Sequence, residues 1–399
     1  MLWRWVLAAF FIFSFTIGTS MIMIPYSTSI AGFWPSLTAI IICYIYLMIT
    51  GFYYLEATLS VPHPASNVFS ISHQYMGKVG AWGSSLILAL TVYANLIYYF
   101  SLSDTIFGSV FGVLHLYLAR IVPLLLVGLL AGILILSGTY ATMLANFLIA
   151  LIMCILFYLS FKIGFTLKVP MSPTNSSWLF LVLVIPSIFN TLYFHTLIPT
   201  IAHFLNYKKK LIQMCIIVAF TFAMLLFTAW LFFSLTPRER SYEESLSQLN
   251  PADITFQSLA QIPFIGRWLP YLLATNVFTS ILCNLIILVD FLKDVFSHYF
   301  KEKKVRRLYL CACALIPTLL IGSLPDRHLL FNVALFITEF GGAYLAGLLP
   351  LLWIWSLKYF LIQKQRFGLG RKVLLVCMTI FTVFALYSVG LEIVYQVTF

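Results

Sequence analysis

The sequence predicts an all-α polytopic membrane protein, and three observations carry that expectation. Hydrophobic residues make up 62% of the 399-residue chain and charged residues only 9%. Apolar runs of about 20 residues, the length that crosses a hydrocarbon core of roughly 30 Å, recur from one end to the other. These runs are continuously apolar rather than alternating, which selects helices over a barrel. A water-soluble domain of this size could not cover apolar residues spread so evenly. The polar regions are short, so residues 1–399 read as a single transmembrane domain.

Polar or charged breaks divide the runs into eleven spans, at 6–30, 36–60, 84–106, 119–137, 145–166, 177–204, 211–235, 267–292, 307–324, 328–356 and 373–397. The first lacks a small-residue cleavage site and holds a Gly and a Pro, so it reads as a retained helix rather than a signal peptide. Spans one to five (about 6–166) and six to ten (about 177–356) form two halves, with span eleven (about 373–397) outside them. The one substantial hydrophilic insertion, 236–266, is turn-rich and then partly amphipathic. It reads either as a lid or as a solvated connector on the outer side.

The net charge of +11 does not point to nucleic acid, because the basic residues sit in short loops beside helix ends. One set of alternate loops collects Arg4, Lys78, Lys208 to Lys210, Lys293, Lys301, Lys303, Lys304, Arg306, Arg307, Lys358, Lys364, Arg366, Arg371 and Lys372. The other has Arg120, Lys162, Lys168, Arg238, Arg240, Arg267 and Arg327. Sixteen basic residues against seven place the N-terminus in the cytoplasm and, with an odd span count, the C-terminus outside. All seven cysteines fall in apolar segments without metal or disulfide spacing, as small buried residues do.

Spans one and six share an internal grammar. Span one reads Thr16-Ile17-Gly18-Thr19-Ser20 and then Pro25; span six reads Asn190-Thr191-Leu192-Tyr193-Phe194-His195-Thr196 and then Pro199. Each puts small or polar residues mid-membrane, followed by a proline that removes a backbone donor. Unwound backbone at that depth needs partners from protein or a watery cavity. Paired interruptions at matching points of two halves are the sequence mark of a transporter's binding site. The half-helix after such a break offers N–H groups to an anion, and the one before it offers carbonyls to a cation. A pair of ordinary proline kinks is the plainer alternative.

These residues resemble the bacterial aromatic amino acid permeases, the tyrosine- and tryptophan-specific branch of the amino acid–polyamine–organocation superfamily. The anchors are "TIGTSMIMIP" (Thr16–Pro25), "YLEAT" (Tyr54–Thr58), "YFS" (Tyr99–Ser101), "IPSIFNTLYFHTLIPTI" (Ile185–Ile201) and "TSILCNLIILVDFLKDVF" (Thr279–Phe296). The resemblance implies a leucine-transporter-like five-plus-five inverted repeat with discontinuous helices one and six and an eleventh helix. It implies uptake of an aromatic amino acid, tyrosine first and tryptophan next, across the inner membrane by ion-coupled alternating access. On that reading Gly18, Thr19 and Ser20 present backbone to the substrate carboxylate. Phe194, His195 and Thr196 line the facing break, while Tyr99 and Phe189 stack on the ring or gate it. This chain departs from the family at Ser20, Tyr193 and Thr196, where glycines are usual. The superfamily's sodium site, between spans one and eight, maps to Thr279 and Ser280, with the carbonyls of Ser14, Ile17 and Asn276 completing it. The lysine that the aromatic permeases carry midway along span five falls on Met153, and the span's only lysine is Lys162.

The titratable residues divide by depth. His195 sits near the midplane, as a substrate contact, a proton relay or a structural histidine. Glu56 and Asp290 lie near cytoplasmic ends of spans two and eight, where a gate ion pair or snorkelling is expected. Glu339, mid-span ten in "TEFGGAY", is a candidate proton site or a hydrogen-bonded acid. Asp104 lies near the outer mouth of span three. Sodium coupling, proton coupling and uncoupled exchange stay open. No nucleophile triad, metal cluster or phosphate loop is evident, so neither an enzyme nor a cofactor beyond a coupling sodium ion or proton is expected. The rival reading is a nutrient receptor of the same fold that binds an amino acid without moving it. The expected partners are the amino acid and the lipid bilayer.

Overall fold

Peptide groups in hydrocarbon must be satisfied within their own segment, so long apolar runs coil. The computed structural model describes residues 1–18, 28, 30–61, 66–111, 118–166, 177–234, 265–299, 306–324, 327–356 and 369–398. Thr19, Ser20, Pro25 and nearly all of the 236–266 insertion lie outside the described residues. In order the helices are α1 (Leu2–Ile17), α2 (Phe33–Ser60), α3 (Val68–Phe111), α4 (Leu118–Leu136), α5 (Thr139–Thr166), α6 (Leu181–Leu192) and α7 (Ile198–Phe204). Then come α8 (Lys209–Ser234), α9 (Ile265–Tyr299), α10 (Arg307–Gly322), α11 (Arg327–Gly342), α12 (Leu349–Trp355) and α13 (Leu369–Thr398). A π-helical stretch, Ala343–Leu348, joins α11 to α12.

Among the described residues eight helical stretches are long and apolar enough to cross a membrane, counting α6 and α7 together as Trp178–Phe204, and three shorter apolar helices accompany them. Large apolar side chains such as Leu129, Ile155, Leu320 and Ile380 stand exposed on the outer helices. Apolar residues inside and outside together are the signature of a protein solvated by lipid.

The helices pack as two groups. α1 contacts α8, and α2 contacts α6, α7 and α8. A second group is built on α3 and α9, which contact each other as well as α4 and α10; α5 lies against α9 and α11 against α3. The groups meet where α1 touches α5 and α9, and where α6 touches α11.

The start of the third span and the course of span ten differ from the sequence expectation. The third span begins at Val68 instead of 84, because the mixed-polarity stretch "VFSISHQYMGKVGAWG" has too little hydropathy to register as part of a span. A bend at Gly77 (φ 75°) separates that leading piece from the rest, a conformation glycine adopts freely. The break in span six falls at Tyr193 and Phe194, inside the polar run Asn190–Thr196 and ahead of Pro199. Pro199 sits in the first turn of α7, where a missing N–H costs nothing. Span ten also carries its π-helical stretch, which no residue pattern announced.

Candidate functional site

The site is assembled where α1 stops and span six uncoils. α1 ends at Ile17, and the Gly18 N–H closes its last turn on the Ser14 carbonyl at 2.9 Å. In span six Tyr193 is extended (φ −70°, ψ 136°) before a 3-10 turn, His195–Leu197, leads into α7.

Tyr193 ties the two breaks together. Its ring meets Phe15 of α1 edge-on with centroids 5.7 Å apart, and its hydroxyl accepts a hydrogen bond from Asn95 Nδ2 of α3 at 3.2 Å. Tyr99, on the same helix as Asn95, lies close to this phenol. Gly342 on α11 leaves room for Asn190 and Tyr193, since a Cβ there would stand 3.0 Å from Asn190 Oδ1 and 3.5 Å from Tyr193 Cδ1.

Phe194 and His195 point elsewhere, into the seam between α2 and α8. Phe194 packs on Phe220 of α8 at 4.7 Å between centroids and fills the notch at Gly51 of α2, where a Cβ would lie 2.7 Å from its ring. His195 Nε2 lies 2.9 Å from Thr50 Oγ1, and its ring meets Tyr54 edge-on at 5.8 Å. Both side chains are fully buried. His195 Nδ1, Thr196 Oγ1 and Tyr54 Oη have no hydrogen-bond partner among the described residues. Phe189 is likewise turned from α1: it packs on Tyr46 of α2 at 5.4 Å and beside Gly347 of the π-helical stretch. For Phe194 and His195 the backbone conformation at the break, not helical spacing, sets these directions.

A second cluster sits at the α1–α9 contact. Thr279 Oγ1 and Ser280 Oγ each donate to the Asn276 carbonyl at 2.9 Å. Both oxygens thus keep lone pairs for another partner. Ser280 Oγ abuts the end of α1 so closely that a Cβ on Gly18 would be 2.3 Å from it. Below them Asn146 of α5 donates to Ser14 Oγ at 2.7 Å, and Asn284 donates to the Ser280 carbonyl at 2.9 Å. Asn284 Oδ1 is buried without a partner among the described residues. Hydroxyl and carbonyl oxygens at a helix C-terminus fit a hard monovalent cation. Met153 lies on the same buried face of α5 as Asn146 and Ala150.

The acidic candidates are dispersed. Glu339 is buried against α6 and accepts a hydrogen bond from Ser187 Oγ at 2.7 Å, one residue from the Asn190–Thr338 contact at 3.2 Å. Asp290 accepts from Thr200 Oγ1 of α7 at 2.7 Å. Glu56 pairs with Arg371 at 3.2 Å, joining α2 to α13. Asp104 has no described side chain. Asn95, Asn146, Asn284 and Phe15 were not singled out by the sequence; the only available signal was polar residues recurring on otherwise apolar helices.

Comparison with known proteins follows the same lines. A model of the tryptophan/tyrosine permease family matches residues 3–388. Sequence comparison with curated proteins gives no match. Among solved structures, that of MhsT in complex with L-phenylalanine is similar at a TM-score of 0.60 and 14% identity, covering 98% of each chain. The manganese transporter of Eremococcus coleocola, in complex with an aromatic bis-isothiourea compound, gives 0.65 and 14%, covering 98% of this chain and 88% of that one. Mhp1, a nucleobase-cation-symport-1 family transporter with bromovinylhydantoin bound, gives 0.58 and 13%, covering 97% and 90%. At these identities the likeness is one of fold.

Proposed function

The chain belongs to the tryptophan/tyrosine permease family, and from that premise we propose that it imports an aromatic amino acid, tyrosine first and tryptophan next, as a secondary transporter of the inner membrane. Membership makes it a membrane transporter, not an enzyme. The observation that carries the finer reading is Tyr193, on the uncoiled stretch of span six, reaching both α1 through Phe15 and α3 through Asn95. A substrate lodged there touches all three moving parts at once. That a protein of similar fold was solved with L-phenylalanine supports an aromatic amino acid as cargo.

The three shorter apolar helices beside the eight long stretches favour eleven spans, with α6 and α7 forming the sixth. The contacts favour a five-plus-five repeat. Span one against span seven has its counterpart in span six against span two, and span five against span eight in span ten against span three. Span one against span five is matched by span six against span ten. Exchanging each span for the one five places on reproduces these contacts, as two inverted copies would. The basic loops favour a cytoplasmic N-terminus and an outer C-terminus.

For the driving ion, the Thr279–Ser280 hydroxyls beside the end of α1 favour sodium, held with carbonyls of Ser14, Ile17 and Asn276. Sodium there would bind α1 to α9 and fix the end of α1 for substrate. Glu339 is the proton alternative, because its bond to Ser187 links α11 to the half-helix before the break. Competitive uptake of radiolabelled tyrosine against all common amino acids, with and without sodium, tests the reading. Concentrative, sodium-dependent uptake blocked best by aromatic residues is expected. Saturable binding without accumulation would assign a receptor instead.

A further inference from the structure

A cavity of about 640 Å³ opens on the basic face, and neither Tyr193 nor its neighbours Phe15 and Asn95 line it. Its walls come from the segment leading into α3 (Ser66), from α7 (Thr200), from α9 (Asp290 and Lys293) and from the entry and first residue of α10 (Arg306 and Arg307). Its volume lies within the few-hundred to ~1,000 Å³ range of small-molecule sites. One carboxylate faces three cations here, so the lining is net positive.

The polar groups are poised rather than spent. Arg307 Nε and Nη2 and Ser66 Oγ are buried with no hydrogen-bond partner among the described residues. Asp290, within electrostatic reach of Arg307 and Lys293, forms no ion pair with either; Thr200 Oγ1 donates to it at 2.7 Å instead. Buried guanidinium N–H groups without acceptors are costly, and a planar anion relieves that cost through two parallel hydrogen bonds. A carboxylate already bonded to a hydroxyl still has lone pairs for an ammonium.

We infer that this cavity is a second amino acid site on the release path, in which Arg307 takes the α-carboxylate and Asp290 the α-ammonium. The inference rests on the transport reading above and adds a waystation to it. Thr200 belongs to the half-helix that follows the break, so an ammonium on Asp290 competes with the bond holding α7 to α9. Occupancy of the cavity thereby loosens α7, which lets the next cycle begin.

The test is protection from alkylation. The full chain carrying Thr139→Cys, a half-buried position on the cavity wall, is placed in vesicles, a membrane-impermeant maleimide is added from the basic face, and modification at position 139 is read by peptide mass spectrometry. L-tyrosine is expected to slow the reaction, whereas N-acetyl-tyrosine, tyramine and inorganic phosphate each lack half of the match and protect weakly. The tyrosine concentration giving half-protection rises about tenfold or more in Arg307→Gln and in Asp290→Asn, each having lost a charge-assisted hydrogen bond. Arg307→Lys, which keeps the charge, falls between. Gly18→Leu, which disables the central site, leaves protection intact. Protection lost in Gly18→Leu but kept in Arg307→Gln would overturn the inference, as would protection by phosphate equal to that by tyrosine, or no protection by any probe. Uptake measured in the same vesicles separates the two readings: uptake without protection sinks the second site alone, and protection without uptake sinks transport alone.

Discussion

Gly18→Ala is the smallest change that tests whether α1 ends against Ser280. The added Cβ would lie 2.3 Å from Ser280 Oγ, roughly 1 Å inside van der Waals contact. Ser280 must rotate away and release its bond to the Asn276 carbonyl, now 2.9 Å long. Overpacking of this kind costs ~1–3 kcal/mol, and the lost bond adds about 1 kcal/mol. With Ser280→Ala in the background the clashing atom is gone, and the nearest remaining neighbour is the Phe15 carbonyl at 3.1 Å. The two changes therefore couple, with Gly18→Ala costing ~1–2 kcal/mol less in the double variant. The assay is a double-mutant cycle on unfolding in detergent, with uptake measured in parallel. Stability is expected to recover in the double variant while sodium dependence does not, since the proposed ion has lost a ligand. Strictly additive stabilities would show that the two residues do not meet.

Other variants separate the remaining roles. Tyr193→Phe removes the acceptor for Asn95 and should weaken half-saturation for substrate by about five- to tenfold, the worth of ~1 kcal/mol, with little change in maximal rate; an unchanged half-saturation would take Tyr193 out of the site. Glu339→Gln preserves an acceptor for Ser187 and should leave uptake and its sodium dependence within about threefold, a shift under ~1 kcal/mol. Abolished pH dependence with retained exchange would instead make Glu339 the proton carrier. Glu56→Gln breaks a partly exposed pair with Arg371 and should change stability by no more than ~1 kcal/mol. A larger loss, or a transporter arrested in one conformation, would give that pair a gating role.

The sequence disclosed a polar interruption in span six but not what its side chains do. Asn190 to Thr196 stand out in an apolar run, so the uncoiling there was legible. Pro199 follows that interruption and, in a helix's first turn, interrupts nothing itself. The directions of Tyr193 and His195 were not legible: once the backbone leaves helical geometry, successive side chains lose their fixed angular spacing. His195 consequently faces Thr50, and Tyr193, a departure from the resembled family, faces Phe15 and Asn95. The contact of Gly18 with Ser280 joins residues far apart in the chain, which no local pattern encodes. The leading piece of α3 was hidden for the opposite reason, being too polar to register as membrane and too apolar to read as a loop.

Most direct of all is a density map of the chain with tyrosine and sodium bound. A zwitterion wedged between the tip of α1 and the Tyr193 peptide, its ring near Asn95, is the outcome the account requires. Ligand density bounded instead by Thr50, Tyr54 and His195, with straight continuous backbone through Tyr193, would contradict it.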